Sequence, residues 1–284
     1  MGFQIMVDGG ADLPKEFVEK FNIKIVPLNI HFDDQEYKAG LDLDINEFYE
    51  KMARTEELPK TSASSPNDFY HAFKEVDADK PILMLALTKN LSATYQNAVL
   101  GKEMLLDEEP ERTIEIINTK TASSGIYLLA NEVIKMKLQN TEFQDIVEQI
   151  KRDVEKTTTL FSLKTVENLI KGGRLDKMRG AIAKTLNIKL LMKASEEGTI
   201  EVTEKVRGEK KALRRLVEQI GEYSKSLEGK TITLAHSNCE EKAKKVLASI
   251  KETYNPKEEL LVEMGPLIAT HAGEGGLVIS FLED

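Results

Sequence analysis

The chain is predicted to be an α/β protein of two domains. The first, residues 1–157, is a Rossmann-like, mostly parallel sheet with helices on both faces, and the second, residues 158–284, is a mixed α+β domain. Three observations predict this. The first half alternates short apolar runs with helical patterns, the order that builds parallel sheets. Pro81-Ile-Leu-Met-Leu-Ala-Leu87 has no polar face and is too short to cross a membrane, so it reads as a strand buried on both sides. Near Thr157 the pattern changes to strand pairs joined by tight turns. At 284 residues the chain exceeds the common domain size, and each half can bury a core.

Taken in order, Phe3 to Val7 is a short apolar strand ending in the turn-rich Asp8-Gly-Gly-Ala-Asp12, which leads to a helix around Phe17 to Phe21. Lys24 to Phe32 reads as one strand, with Pro27 marking an edge or bulge. Asp44 begins a capped helix that places Ile45, Phe48, Tyr49 and Met52 on one face. Thr61-Ser-Ala-Ser-Ser-Pro66 reads as a loop. In it Ser65 caps a helix with Pro66 in the first turn and Phe69, Phe73 and Val76 as the buried stripe. The Pro81 strand opens into the polar Thr88 to Gln96. A strand at Thr113 to Asn118 opens in the same way into Thr119 to Gly125, and two amphipathic helices, Ile126 to Leu138 and Glu142 to Lys156, close the half.

In the second half, Leu160 to Leu163 is a strand and Val166 to Ile170 a short helix stopped by Gly172 and Gly173. Leu186 to Ala194 and Thr199 to Arg207 pair around Glu196-Glu-Gly198. A helix from Lys211 to Leu227, a strand from Thr231, a helix from Glu240 to Thr253 and a strand from Glu259 follow. Last come the glycine-rich loop Gly265 to Gly276 and a strand from Leu277 to Phe281.

Composition excludes several classes. The 48 acidic and 39 basic residues give net −9, against a general nucleic-acid binder. One cysteine, Cys239, allows no internal disulfide and fits a reducing compartment. Four histidines without Cys/His pairing at ligand spacing argue against a zinc site, so no metal is expected. No apolar run approaches a membrane helix and the N-terminus carries no signal region. A cytoplasmic protein without stable membrane insertion is expected.

Three polar loops, at Thr61, Ser92 and Thr121, lie beside or after strands of one sheet, where α/β sheets hold ligands. For Ser92 and Thr94 the choice is between helix cap and ligand contact, and for Thr61 and Ser62 between solvated loop and ligand contact. His271, in a loop with four glycines within six residues, suits either a ligand contact or a structural hydrogen bond. Ser92 and His271 could form a nucleophile and base, but no Gly-x-Ser-x-Gly elbow surrounds Ser92 and no acid is placed to orient the histidine. Hydrogen bonding to a carboxylate or phosphate fits better than covalent catalysis. Thr165 to Lys193 carries a local +5, either a solvated face or a dock for an acidic surface or anion.

The chain resembles the DegV family of bacterial fatty-acid-binding proteins, which includes the binding subunits of a fatty-acid kinase system. The likeness rests on Asp8 to Leu13, Thr61 to Pro66, Leu91 to Gln96, Leu169 to Leu175, Leu186 to Lys189 and Gly265 to Gly276, and covers essentially the whole chain. The resemblance implies a non-enzymatic carrier with no cofactor, holding one long-chain fatty acid such as palmitate in a tunnel between the domains. It implies a carboxylate bound by Thr61, Ser62 and Ser92 with His271 nearby, leaving Thr94 as a helix cap. It further implies that Lys171, Arg174 and Arg207 face a fatty-acid kinase. The alternative is a Ser92/His271 acyl hydrolase or transferase. Ala93 stands where the family has glycine, a mild change unless a positive φ is needed. Glu274 stands where it has proline, and would repel a bound carboxylate unless it points to solvent or pairs with a cation.

Overall fold

A computed structural model describes residues 2–32, 35–55, 57–175 and 187–284. The chain opens with β1 (Gln4–Asp8), α1 (Lys15–Phe21), β2 (Lys24–Val26) and β3 (Asn29–Phe32). Lys24 to Phe32 is thus two strands, not one. Proline has no N–H to continue a ladder, and at Pro27-Leu28 the chain leaves one sheet for another. There follow β4 (Gln35–Lys38), α2 (Ile45–Arg54), β5 (Lys60–Ser62), α3 (Pro66–Lys74), β6 (Ile82–Ala86), α4 (Thr94–Glu108), β7 (Ile114–Asn118), α5 (Ser124–Leu138) and α6 (Phe143–Glu155). The Asp44 cap is present, its carboxylate accepting from the N–H groups of Asn46 and Glu47. Ser65 and Asp68 form a reciprocal capping box at α3, with Pro66 in the first turn.

Strands β2-β1-β6-β7 form a four-stranded, wholly parallel sheet, and β4-β3-β5 a small antiparallel one. All five residues of β6 are buried, as expected of a strand covered on both faces. Alternation decides the partners. Ile82, Met84 and Ala86 join a core beneath α3 and α4, whereas Leu83, Leu85 and Leu87 face the large core on the other side.

The second half contains β8 (Thr157–Ser162), α7 (Glu167–Lys171), β9 (Ile188–Ala194), β10 (Ile200–Arg207), α8 (Glu209–Glu218), α9 (Ile220–Tyr223), β11 (Thr231–His236), α10 (Glu240–Tyr254), β12 (Glu258–Glu263), α11 (Pro266–Ala272) and β13 (Leu277–Leu282). Its six strands form one mixed sheet, β10-β9-β8-β13-β11-β12, antiparallel except for the β11–β12 pair. The helix expected from Lys211 to Leu227 is two, broken at Gln219 and ending at Tyr223. Leu186, where the β9 strand was expected to begin, lies outside the described residues, as do Lys177, Arg179 and Lys184 of the basic run.

Helix α5 departs from its expected amphipathic form. Ten of its fifteen residues are buried, because it packs against β6 of one sheet and β8, β11 and β13 of the other. Its first residue enters the second sheet directly, the Ser124 hydroxyl donating to the Val278 carbonyl at 3.1 Å. The largest apolar cluster accordingly contains residues of both halves, from Phe3 to Val278.

Candidate functional site

Between the halves lies a cavity of about 920 Å³, open mouth included. One wall is a face of the six-stranded sheet. Thr159 and Phe161 on β8, and Leu163 just beyond it, alternate into the cavity, beside Val278 on β13. These three residues span about 13 Å of extended chain. The opposite wall comes from the segments after β6 and β7 and from β5: Leu87, Leu91, Ala122 and Thr61. The lining is mainly apolar, and all three polar loops singled out in the sequence reach it, through Thr61, Ser92 and Thr121.

At one end three elements converge. Thr61 is on a strand, not in a loop: β5 pairs antiparallel with β3, Ile30 opposite Thr61, and extended pairing uses the backbone groups that a loop would leave to water. The Thr61 hydroxyl meets His271 Nε2 at 3.0 Å. Successive strand residues face opposite ways, and the Ser62 hydroxyl instead meets His31 Nε2 at 3.1 Å, although Ser62 borders the cavity.

His271 is in the last turn of the short helix α11, not in a glycine-rich loop. Pro266 occupies the first turn, and Gly273, with φ +65°, supplies the turn that ends the helix. The glycines mark the ends of a helix whose face Leu267, Ile268, His271 and Ala272 lines the cavity. Gly172 lies against the imidazole, and a Cβ there would come within 2.9 Å of Nδ1. That nitrogen is buried without a hydrogen-bond partner among the described residues. Burial first, and the nearby Arg174 second, hold the imidazole pKa down at about 4, so His271 is neutral at physiological pH.

Ser92 lines the cavity, its hydroxyl 2.7 Å from that of Thr94 and accepting the Thr94 N–H at 3.3 Å. Thr94 is not the cap: it is the first residue of α4 after Ala93, and the serine before it receives its N–H. Ala93 has φ −71°, so glycine is not required there. Ser92 and His271 share no hydrogen bond among the described residues. Glu274 is exposed and outside the cavity lining, and it accepts from the neutral Asn238 Nδ2 at 2.9 Å, so it meets the solvent alternative and not the cation pair.

Arg174 follows the Gly172-Gly173 turn, donates to the Leu91 carbonyl at 3.2 Å and the Gly172 carbonyl at 2.6 Å, and lines the same end of the cavity. Burial lowers its pKa without removing its charge. Thr61, Arg174 and His271 also border an outer, more polar hollow with Lys171, Lys60 and Glu57. Arg207 is elsewhere, at the end of β10, in a groove with Lys210, Lys211, Arg214 and Lys245.

Sequence reasoning did not single out two buried acids. Asp8 accepts the N–H groups of Gly10 at 2.7 Å and Leu87 at 2.6 Å, and burial raises its pKa to about 6. Asp12 accepts the Ser123 hydroxyl at 2.5 Å and the Gly265 N–H at 2.8 Å, and burial raises it to about 7. Their signal was the Asp-Gly-Gly-Ala-Asp opening, which reads equally as a solvated turn. Four buried hydroxyls form a chain, Thr121 to Thr159 at 2.8 Å, Thr159 to Ser280 at 3.0 Å and Ser280 to Ser124 at 3.0 Å, so the two that line the cavity, Thr121 and Thr159, have protein partners. The described residues contain no group of acidic, histidine or cysteine side chains able to hold a metal, and no helix long and apolar enough to cross a membrane.

Comparison with known proteins places this geometry in context. A family model described as "Uncharacterised protein, DegV family" matches residues 2–284. A DegV domain-containing protein of Streptococcus pneumoniae is 32% identical over 284 residues, 99% of each chain. Among solved structures, the Streptococcus pneumoniae fatty acid kinase B3 protein loaded with linoleic acid superposes with a TM-score of 0.88 at 31% identity, covering 100% of both chains. A fatty-acid-binding DegV family protein of Streptococcus agalactiae gives 0.87 at 30% identity, covering 100% of this chain and 99% of that one. A Ruminococcus gnavus protein of the family, with vaccenic acid, gives 0.91 at 30% identity, covering 98% and 99%.

Proposed function

The chain belongs to the DegV family, and from that premise we propose that it binds one long-chain fatty acid, palmitate among them, in the cavity between its halves. The observation that carries this reading is a mainly apolar cavity whose lining includes Thr61 in contact with His271, the half-buried Arg174 bonded to the Leu91 carbonyl, and Ser92, the next residue along. Each buried CH₂ contributes about 0.8 kcal/mol, so the tail supplies most of the affinity and little of the orientation. Orientation comes from the head. The hydroxyls of Thr61 and Ser92 donate to the carboxylate, Ser62 contributes from the rim, and the neutral His271 stands next to Thr61. Arg174 offsets the carboxylate charge at a distance set by its bonds to backbone carbonyls. Neutral donors hold a carboxylate less tightly than a direct salt bridge and leave it available for transfer.

In this reading the protein is a carrier, not an enzyme, with domains at residues 1–157 and 158–284. The hydrolase alternative needs a Ser92–His271 hydrogen bond, whereas Ser92 is paired with Thr94 and His271 with Thr61. Presentation to a fatty-acid kinase would use the hollow outside the head, where Lys171 and Arg174 lie, with Arg207 on a separate basic groove. The deciding experiment is lipid extraction and mass spectrometry of the purified protein together with direct palmitate binding. A copurifying acyl chain and saturable binding support the reading, and no lipid with no palmitate binding overturns it.

A further inference from the structure

Asp12 has no part in the fatty-acid reading, yet it is wholly buried between the halves. Its Oδ1 accepts the N–H of Gly265, the residue from which α11 starts, and six residues later that helix delivers His271. Its Oδ2 accepts the hydroxyl of Ser123, which leads into α5. Ser123 has φ 57° and ψ −126°, a conformation rare for a residue with a Cβ, and its N–H is held at 2.7 Å by the Gly10 carbonyl. One carboxylate therefore holds the starts of two helices, one from each half; of these α11 lines the cavity, as does Ser123 itself. At its far end α11 is tied by Asn168, whose Nδ2 donates to the Thr270 carbonyl at 2.9 Å. The imidazole thus hangs from a helix pinned at both ends, by the Asp12 carboxyl at its start and by Asn168 near its end.

We propose that Asp12 is the positioning residue of the headgroup site: its carboxylate fixes the start of α11, and through that helix the place of His271 against Thr61. An acid suits the position because two donors from different helices converge on it and a carboxylate offers two acceptor oxygens. An asparagine would keep the Gly265 bond through its carbonyl and could donate to a rotated Ser123 hydroxyl. Alanine would lose both.

The proposal rests on the fatty-acid reading of the cavity, and the experiment separates the two. Asp12→Ala, Asp12→Asn and Gly265→Pro are compared by NMR titration of the His271 imidazole in the ligand-free protein, by palmitate affinity and by thermal midpoint. Gly265 has φ −68°, which proline shares, so Gly265→Pro breaks the same bond from the other side: the donor is lost and the ring, in the place of the N–H, pushes the Asp12 carboxylate away. Asp12→Ala and Gly265→Pro are each expected to weaken palmitate binding by about tenfold or more and to raise the His271 midpoint toward its ordinary value. The double variant Asp12→Ala/Gly265→Pro should be no weaker than the worse single one within about twofold, because the bond that Gly265→Pro removes is already lost in Asp12→Ala. Asp12→Asn should stay within about threefold of the unaltered protein. Folded Asp12→Ala with unchanged His271 titration and affinity, or losses that multiply in the double variant, overturns the proposal. If Asp12→Ala does not fold, Gly265→Pro decides, and an unchanged imidazole there overturns it. Failure of the unaltered protein to bind palmitate removes the fatty-acid reading alone, since the ligand-free imidazole titration still tests Asp12.

Discussion

Thr61 and His271, 210 residues apart in the chain, meet at 3.0 Å through Oγ1 and Nε2. One sits on a strand of the small antiparallel sheet and the other at the end of α11, so the contact joins the two halves at one end of the cavity. Thr61→Val keeps the shape and removes the hydroxyl. Palmitate binding should weaken by about tenfold, the worth of a hydrogen bond to a charged group, with the fold retained. Equal affinities in a direct binding assay would remove Thr61 from the headgroup site.

Gly172 packs on the imidazole. Its replacement by alanine puts a methyl group 2.9 Å from Nδ1 and 3.1 Å from the Asn168 carbonyl, so either the ring or the α7 turn must move. Overpacking of this kind costs about 1–3 kcal/mol. Gly172→Ala should lower the thermal midpoint and weaken palmitate binding together, and unchanged values of both would show that the turn accommodates the methyl.

The low pKa of His271 makes stability depend on pH. Folded at about 4 against an ordinary 6.5, the group binds fewer protons in the folded than in the unfolded chain between those values. Its stability is therefore complete above 6.5 and is lost as pH falls toward 4, by roughly 3 kcal/mol at most. Denaturant unfolding of the unaltered protein and of His271→Gln at pH 7 and pH 4.5 should show their difference shrinking in acid. A difference that does not change would contradict a buried neutral imidazole.

Leu85 and Leu87 separate fold from site on one strand line. Both are buried, but only Leu87 lines the cavity. Leu85→Ala should cost about 2–5 kcal/mol in chemical unfolding. It should leave palmitate affinity nearly as it was, while Leu87→Ala should alter affinity as well.

Glu274→Gln should change palmitate affinity by less than about twofold, since exposed partners contribute little. Glu274 is paired with Asn238 and is not among the cavity-lining residues. A large gain in affinity for Glu274→Gln would mean that the carboxylate does reach the head.

The local features of the fold were legible because they are written in adjacent residues. The Asp44 and Ser65 caps, the buried run after Pro81 and the glycine stop after Lys171 each depend on chemistry within a few positions. Errors fell where a local signal had two meanings. Glycines around His271 read as a loop and are the ends of a seven-residue helix. Thr61 and Ser62 read as loop because a three-residue strand has no periodicity to display. Helix α5 read as amphipathic because sequence shows which residues are apolar, not that two sheets cover the helix from both sides.

By itself the sequence determined the α/β class, the family likeness, and Thr61, Ser62, Ser92 and His271 as the residues to weigh. Only the tertiary structure decided which of these touch: Thr61 with His271, Ser62 with His31, Ser92 with Thr94. It alone disclosed that Asp12 ties Ser123 to Gly265. The physical reason is range. Caps, turns and strand burial are set by neighbours in the chain, whereas a hydrogen bond between positions 61 and 271 exists only when sheet register and helix packing bring two distant backbones within 3.0 Å.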